Sequence, residues 1–403
     1  MVSKNVLIAG GGIVGLATAY KLAQAGVRPI VLEKEASVGT HQTGHNSGVL
    51  HAGLYYKPGS IKARLAVTGI REMVRFCQEN SIAHDICGKL VVATDESELG
   101  RLDELYDRGL ANGLTGLKKM GPQEMLEIEP NVVGLRAVRV PEEGIVDYKR
   151  VVQVLVEKIR ALGGEVHTGA AVESLRREQE NWIAVTPTGD FSGSFLINCA
   201  GLQCDRVSEM AGEQRKARIV PFRGEYYMIR PERQSLVKHL IYPVPDPKFP
   251  FLGVHFTRMI HGGVEAGPNA VLALKREGYK KTDFNLRDAL DALLFPGLWK
   301  FMAQYPSMCW WEIRRSLSKK LFCGSLQRLV PAIQPEDLSP GGAGVRAQAL
   351  TPSGELVQDF LFVEGDRALH VLNAPSPGAT ASLAIGAEIA ASSILQQSGQ
   401  LRS

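Results

Sequence analysis

The stretch NVLIAGGGIVGLATAYKLAQAGVRPIVLEKE, starting at Asn5, limits the possible folds more than any other part of this 403-residue chain. Val6 to Ala9 is a short continuous apolar run, the pattern of a parallel strand buried on both faces. Gly10-x-Gly12-x-x-Gly15 follows at once, and an apolar, Ala-rich helix then runs to about Ala25 and stops at Gly26. Pro29 opens a second apolar run, Ile30-Val31-Leu32, because a first strand position need not donate a ladder hydrogen bond. Glu33 closes that run 33 − 15 = 18 residues past the last glycine. A lone GxGxxG is weak evidence, but here strand, helix and acid all stand in place around it. Gly10 makes the tight turn, Gly12 admits a pyrophosphate to the backbone, and Gly15 lets helix and strand pack closely. Ile13 and Val14 open the helix whose free N–H groups face the phosphates. Glu33, with Lys34 after it, is placed at the adenosine ribose, where an acid disfavours a 2′-phosphate. The expectation is a dinucleotide cradle.

The remaining chain bears on which dinucleotide. In a nicotinamide enzyme, strands and helices would alternate for another hundred or so residues, but ASVGTHQTGHNSGVLHAGLYY after Glu35 has neither a helical period nor a strand run. Nucleotide-type segments recur far downstream instead. A helix is expected over Arg150 to Leu162 and a strand over Gly163 to Thr168, with Ala171-Val172 at the adenine. Phe195 to Cys199 reads as a buried strand ending in the small turn Ala200-Gly201. Finally His370 to Asn373 leads into APSPGATASLAIGAEIAASSIL, a strand, a small-residue turn and a helix whose N-terminus faces a second polar cofactor region.

Composition sets the outer limits. A chain of this length exceeds what one hydrophobic core supports, so two intertwined domains are expected. Apolar residues at 45% and charged residues at 22% are ordinary for a globular enzyme. A net charge of +4 argues for no nucleic-acid partner. The six cysteines, at 77, 87, 199, 204, 309 and 323, form no CxxC pair and no set with histidine at zinc spacing, so reduced thiols and no metal are expected. The apolar run starts directly after Met1-Val2-Ser3-Lys4, leaving no room for a signal peptide, and no run of about 18 apolar residues occurs. A soluble or peripheral cytoplasmic protein is the expectation.

A dinucleotide site assembled from both chain ends resembles the FAD-binding fold of the D-amino-acid-oxidase-like flavoproteins. Within that superfamily, HNSGVLHAGLYY, INCAGLQCDRVS, PFRGEYY, GPNAVLALKREGY, AGVRAQAL and NAPSPGATASLAIG together look like the L-2-hydroxyglutarate oxidase/dehydrogenase family, across essentially the whole chain. The resemblance implies a mixed α/β fold, with a Rossmann-type FAD-binding domain (1–84, 146–214 and 341–403) and an inserted antiparallel-sheet substrate domain (85–145 and 215–340). It also implies oxidation of L-2-hydroxyglutarate to 2-oxoglutarate, with electrons passed to a quinone or oxygen. By the same resemblance Thr43, His45, Asn46, Ser47, Gly48 and Val49 wrap the flavin, and Pro377, Gly378, Ala379 and Thr380 form the second cofactor region.

His51 then falls beside the reacting ring, and a neutral imidazole suits removal of a hydroxyl proton. His255 is the rival base. A dicarboxylate needs cations, and arginine's planar fork binds carboxylates bidentately. Arg346 matches the carboxylate-holding position of related amino-acid oxidases, and Tyr242 a substrate-facing tyrosine. Arg64, Arg223 and Arg258 are the candidates for the second carboxylate. Leu286 to Phe322 gathers three of the four tryptophans with basic residues, which suits a peripheral contact with the inner membrane; a helical pair packed on the substrate domain is the plainer reading. An amine or amino-acid oxidase of the same fold is the alternative function.

Overall fold

The computed structural model describes residues 5–246 and 253–398. The unalternating apolar runs are strands covered on both faces. One sheet has the order Leu361–Gly365, Ala368–Asn373, Phe195–Asn198, Asn5–Ala9, Arg28–Leu32, Glu165–His167, parallel except at its Leu361–Gly365 edge. Val6 and Ile8 pack on one face with Leu16 of the helix Ile13–Gln24, Leu155 of Tyr148–Ala161 and Ile385 of Ser382–Ser398. Leu7 points the other way, onto Trp182 and Ala184 of the small antiparallel sheet formed by Ser174–Glu178, Asn181–Thr186 and Gly189–Gly193. Each such fully buried side chain contributes about 1.5–3 kcal/mol. The central strands come from residues near 5, 195 and 370, so both ends of the chain supply strands to the middle of one sheet.

A second, nine-stranded and largely antiparallel sheet is built from Lys89–Ala93, Lys118–Met120, Arg136–Val140 and the strands between Arg218 and Leu350. Its long spine pairs Arg218–Ile229 with Leu338–Leu350, and the latter strand continues across residue 341 within this sheet. In the sequence, Arg223 to Ile229, Leu240 to Pro243 and Phe251 to Phe256 read as short alternating strands, but the first of them starts at Arg218 and is buried without a break from Ile219 to Gly224. The cause is cover on both sides. Val220 and Phe222 lie under Phe295, Leu298 and Phe301, while Ile219 packs with Leu202 and Val345. Leu240–Pro243 is a strand as expected. Of the expected strand Phe251 to Phe256, the first two residues lie outside the described residues, and His255–Arg258 is the described strand.

The two sheets are tied by a buried ion cluster. Arg276 is 1% exposed, pairs with Asp205 on the Cys204–Met210 helix and lies 2.7 Å from Asp291 on the Leu286–Leu293 helix. The 286–322 stretch is neither one amphipathic helix nor a simple pair. It breaks into Leu286–Leu293, Pro296–Gln304, Pro306–Leu317 and Lys319–Gln327, because Pro296 and Pro306 open new helices and Ser318 caps the last through its hydroxyl. Among the described residues, no helix is long and apolar enough to cross a membrane. All six cysteines are unpaired.

Candidate active site

The first βαβ unit forms one wall of a cleft. Gly10 has φ +109°, and a Cβ there would lie 2.5 Å from the Cys199 carbonyl oxygen; at Gly15 it would lie 2.1 Å from Gly10 O. Gly12 differs. Its φ is −77°, and a Cβ would meet only Thr43 Oγ1, at an ordinary 3.5 Å, so the space over this backbone belongs to the cleft. Gly10, Gly12, Glu33, Lys34, Thr43, Val172, Ala200 and Gly201 all line it. Ile13 N donates to Thr43 Oγ1 (3.0 Å), and Val14 lies in the helix's first turn. Glu33 is buried; Oε2 accepts from Gly11 N (2.8 Å) and Oε1 from Glu35 N (2.9 Å), leaving lone pairs for ribose hydroxyls. An open glycine at a helix N-terminus with a fixed acid beside it is a lining that fits the pyrophosphate and adenosine ribose of FAD.

Lys34 does something else with its charge. Its Nζ pairs with Glu35 and lies 3.0 Å from Glu277 Oε2 and 2.9 Å from His41 Nε2. Glu35, His41 and Glu277 have ligand atoms within 4.8 Å of one another, and the ammonium takes the place a metal cation would occupy among them. His45 stacks on Tyr279 (3.8 Å between centroids) and contacts the Ala343 carbonyl through Nδ1 (3.0 Å). Asn46 folds the following turn, donating to Gln42 and Thr43 carbonyls and accepting from Gly48 N. Ser47 hydrogen-bonds Tyr226 and Glu265, and burial pushes the Glu265 carboxyl upward. Val49 and Thr380 fasten the next residues: Thr380 Oγ1 donates to Val49 O, accepts from His51 N (3.2 Å) and contacts Tyr148 OH (2.9 Å). Pro377 and Gly378 are buried, Ala379 packs on the core beside them, and the turn they make brings Thr380 there.

Past the Thr380 contact, His51, Tyr242 and His255 gather in one cluster. Tyr242, 1% exposed, stacks on His255 at 3.8 Å and meets the His51 ring edge-on at 6.4 Å. His255 Nδ1 is 2.8 Å from Gly253 O; a carbonyl only accepts, so Nδ1 carries the proton and Nε2 is free to accept. Burial pulls the His255 pKa down to about 3, with the charges of His51, Lys89 and Arg346 adding to it and the Gly253 carbonyl opposing. The ring is neutral at any working pH.

Of the four nominated arginines, Arg346 reaches this pocket. It acts on the titration of His255 and Tyr226 and donates from Nη1 to Asn269 O (3.1 Å). The other three depart from the expectation. Phe222 and Arg346 are cross-strand partners, so Arg223, one position on, turns to the opposite face and bonds Glu225 and Lys280 O. Arg258 is three positions from His255 on one strand, again the opposite face, and pairs with Asp85. Arg64 is exposed on its helix and bonds both oxygens of Glu388, at 3.2 Å each.

Sequence reasoning missed Lys89 and Glu143. Neither has any exposed side-chain surface; Nζ and Oε2 lie 2.5 Å apart, and Nζ sits over the rings of Tyr55 (4.5 Å) and Tyr242 (4.8 Å). The one available signal was a lysine heading the apolar strand KLVVA, a buried charge that needs a partner.

Comparison with known proteins gives the family. The model of the FAD-dependent oxidoreductase family matches residues 5–392, and the chain belongs to that family. A solved structure of L-α-glycerophosphate oxidase from Mycoplasma pneumoniae with FAD bound superposes with a TM-score of 0.79 at 20% identity, covering 97% of this chain and 95% of that one. Within the family the chain falls among the L-2-hydroxyglutarate dehydrogenases. It is 51% identical to the one from Indibacter alkaliphilus (96% of this chain, 97% of the relative) and 44% identical to that of Escherichia coli K12 (96% and 92%). The human mitochondrial enzyme is 43% identical (96% and 88%).

Proposed function

We propose that this chain binds FAD and oxidises L-2-hydroxyglutarate to 2-oxoglutarate. The observation that carries the reading is the extent of the match, 51% identity over 96% of the chain to an L-2-hydroxyglutarate dehydrogenase. The pocket chemistry supports it. Bound FAD supplies the hydride acceptor. The chain's residues orient the substrate and take the hydroxyl proton. Arg346 holds the carboxylate next to the reacting carbon, Tyr242 closes the pocket floor, and His51 is the base. His255, neutral with Nε2 unprotonated, accepts a hydrogen bond from the substrate hydroxyl and is the second candidate for the proton. A base works in its unprotonated form, and His255, already neutral above about pH 3, gives no acid limb in the working range. The cofactor domain comprises 1–84, 146–214 and the chain after the strand Leu338–Leu350, and the substrate domain 85–145 and 215–350, because that strand stays in the second sheet past residue 341.

Arg346→Lys is expected to raise KM for L-2-hydroxyglutarate by about tenfold or more with a smaller change in kcat, since an ammonium lacks the bidentate fork. Steady-state kinetics with an artificial acceptor reads this, and an unchanged KM moves the carboxylate site elsewhere.

Electrons leave for a membrane quinone through a peripheral contact made by the 286–322 segment. Among the described residues, eight of the eighteen exposed large hydrophobic side chains fall there, including Leu286, Leu294, Trp299, Trp310, Trp311 and Leu317. Exposed Arg287, Lys300, Arg314, Lys319 and Lys320 lie among or beside them, a charge pattern complementary to anionic lipid. The protein is expected to co-sediment with phosphatidylglycerol vesicles and far less with phosphatidylcholine ones. Trp299→Ser/Trp310→Ser should release it, and a protein left wholly in the supernatant with anionic vesicles defeats the contact.

A further inference from the structure

We infer that Glu143 is a positioning residue for the His51 imidazole and that Lys89 sets the charge which that imidazole experiences. This rests on His51 being the base. His51 Nδ1 is buried, makes no hydrogen bond among the described residues, and faces Glu143 Oε2 at 3.7 Å. The other carboxylate oxygen, Oε1, accepts from Ala52 N at 3.1 Å, so one side chain holds both the ring and the backbone after it. Glu143 stands in the turn between the strands Arg136–Val140 and Gly144–Val146, and its carbonyl accepts from Gly88 N, next to Lys89. The carboxylate thus links the nine-stranded sheet, through Lys89, to the loop that carries His51.

A buried ion pair is poor evidence of a stability device, because apolar replacement of such pairs is often neutral or stabilising. Lys89 occupies a position where the four residues after it, Leu90 to Ala93, are all buried and apolar. A charge pair there, against the base, has a chemical reading. Burial alone would raise the Glu143 pKa, but the Lys89 ammonium and His51 hold it down to about 2, so the carboxylate is ionised throughout. Burial pulls Lys89 down against the opposing pull of Glu143. The other groups facing this cluster are Tyr55, Tyr56 and Tyr242, whose phenols burial keeps protonated, the Cys87 thiol, which burial pushes up, neutral His255, and the fixed cation Arg346.

The division of labour follows. As the substrate O–H bond breaks, its proton would form an N–H bond on the imidazole Nε2, and bound FAD would supply the acceptor for the hydride on the carbon that bears that oxygen. The imidazolium so formed has Glu143 against Nδ1, which fixes the tautomer and stabilises the new charge, as a buried carboxylate does in a serine-protease triad. Lys89 neutralises that carboxylate in the resting state, so the imidazole faces an ion pair and not a bare negative charge before the proton arrives.

The two charges therefore pull the His51 pKa in opposite directions, which a purely structural role would not do. The test compares wild type, E143Q, K89M and E143Q/K89M as FAD-loaded protein. The His51 imidazole pKa is read by ¹H–¹⁵N NMR, with its signal assigned by its loss in H51Q, and the rate of anaerobic flavin bleaching is followed against pH. E143Q is expected to lower the His51 pKa by about one unit or more and K89M to raise it. E143Q also slows bleaching by about 10²-fold or more, and K89M moves the acid limb of the rate to higher pH. K89M strands a buried carboxylate, so the double variant, which carries no unpaired charge, is the control for folding. It is expected to return the pKa toward wild type and to stay slow. A His51 pKa that neither single variant moves, or shifts of the same sign in both, overturns the inference. If H51A itself bleaches at the wild-type rate, the assignment of the base has failed; a slow H51A with a normal E143Q sinks the role of Glu143 alone.

Discussion

Gly12→Leu yields a folded protein that has lost its yellow colour. The fold tolerates the side chain because Gly12 has an ordinary φ and a Cβ there makes one normal contact with Thr43 Oγ1 at 3.5 Å. Replacing a good helix cap costs about 1 kcal/mol. The new atoms instead fill the space in which a pyrophosphate meets the backbone. The measurement is the ratio of flavin to protein absorbance after gel filtration, with far-ultraviolet circular dichroism to confirm the fold. The melting temperature also falls, because a ligand held at about 100 times its Kd contributes about 2.7 kcal/mol that the variant no longer receives. Gly15→Ala is the contrasting variant: its Cβ would lie 2.1 Å from Gly10 O, so it disrupts the strand-helix packing itself. A Gly12→Leu protein with full flavin content contradicts the placement of the cofactor.

His51→Ala slows substrate-driven bleaching of the flavin by about 10²-fold or more while cofactor content stays at the wild-type level. Content is preserved because the residue's tie to the fold is its backbone N–H, which donates to Thr380 Oγ1 and survives the change. Stopped-flow reduction separates the effect from re-oxidation. His255→Ala is the internal comparison. Its ring stacks on Tyr242 and stays neutral, so its loss disturbs substrate orientation more than proton transfer. If His255→Ala proves the slower variant, the roles of the two histidines are exchanged.

The cofactor half of the molecule was legible in the sequence because its elements are local and uninterrupted. Val6 to Ala9, Ile30 to Leu32, Phe195 to Asn198 and His370 to Asn373 carry their burial in plain apolar runs, and all four lie in one sheet. The glycine spacing also revealed which position faces the cleft. The substrate half was harder. The Arg218–Ile229 strand shows no alternation, since helices on one face and the Leu202 cluster on the other remove its solvent side. Arginine chemistry alone could nominate Arg64, Arg223 and Arg258, but strand parity and local acids direct all three elsewhere. Lys89 and Glu143 meet only because a strand and a turn 54 residues apart converge on the His51 loop, and no local pattern announces that. In the 286–322 segment the prolines were visible, and their role as helix starts accounts for its division.

The central claim is the reaction. Purified yellow protein is titrated anaerobically with L-2-hydroxyglutarate, its D enantiomer, glycine and sarcosine while the visible absorbance of the flavin is followed. Rapid, stoichiometric bleaching by the L enantiomer alone, with 2-oxoglutarate as product, is the expected result. Bleaching by the amines with no response to L-2-hydroxyglutarate would keep the fold and cofactor and contradict the assigned substrate.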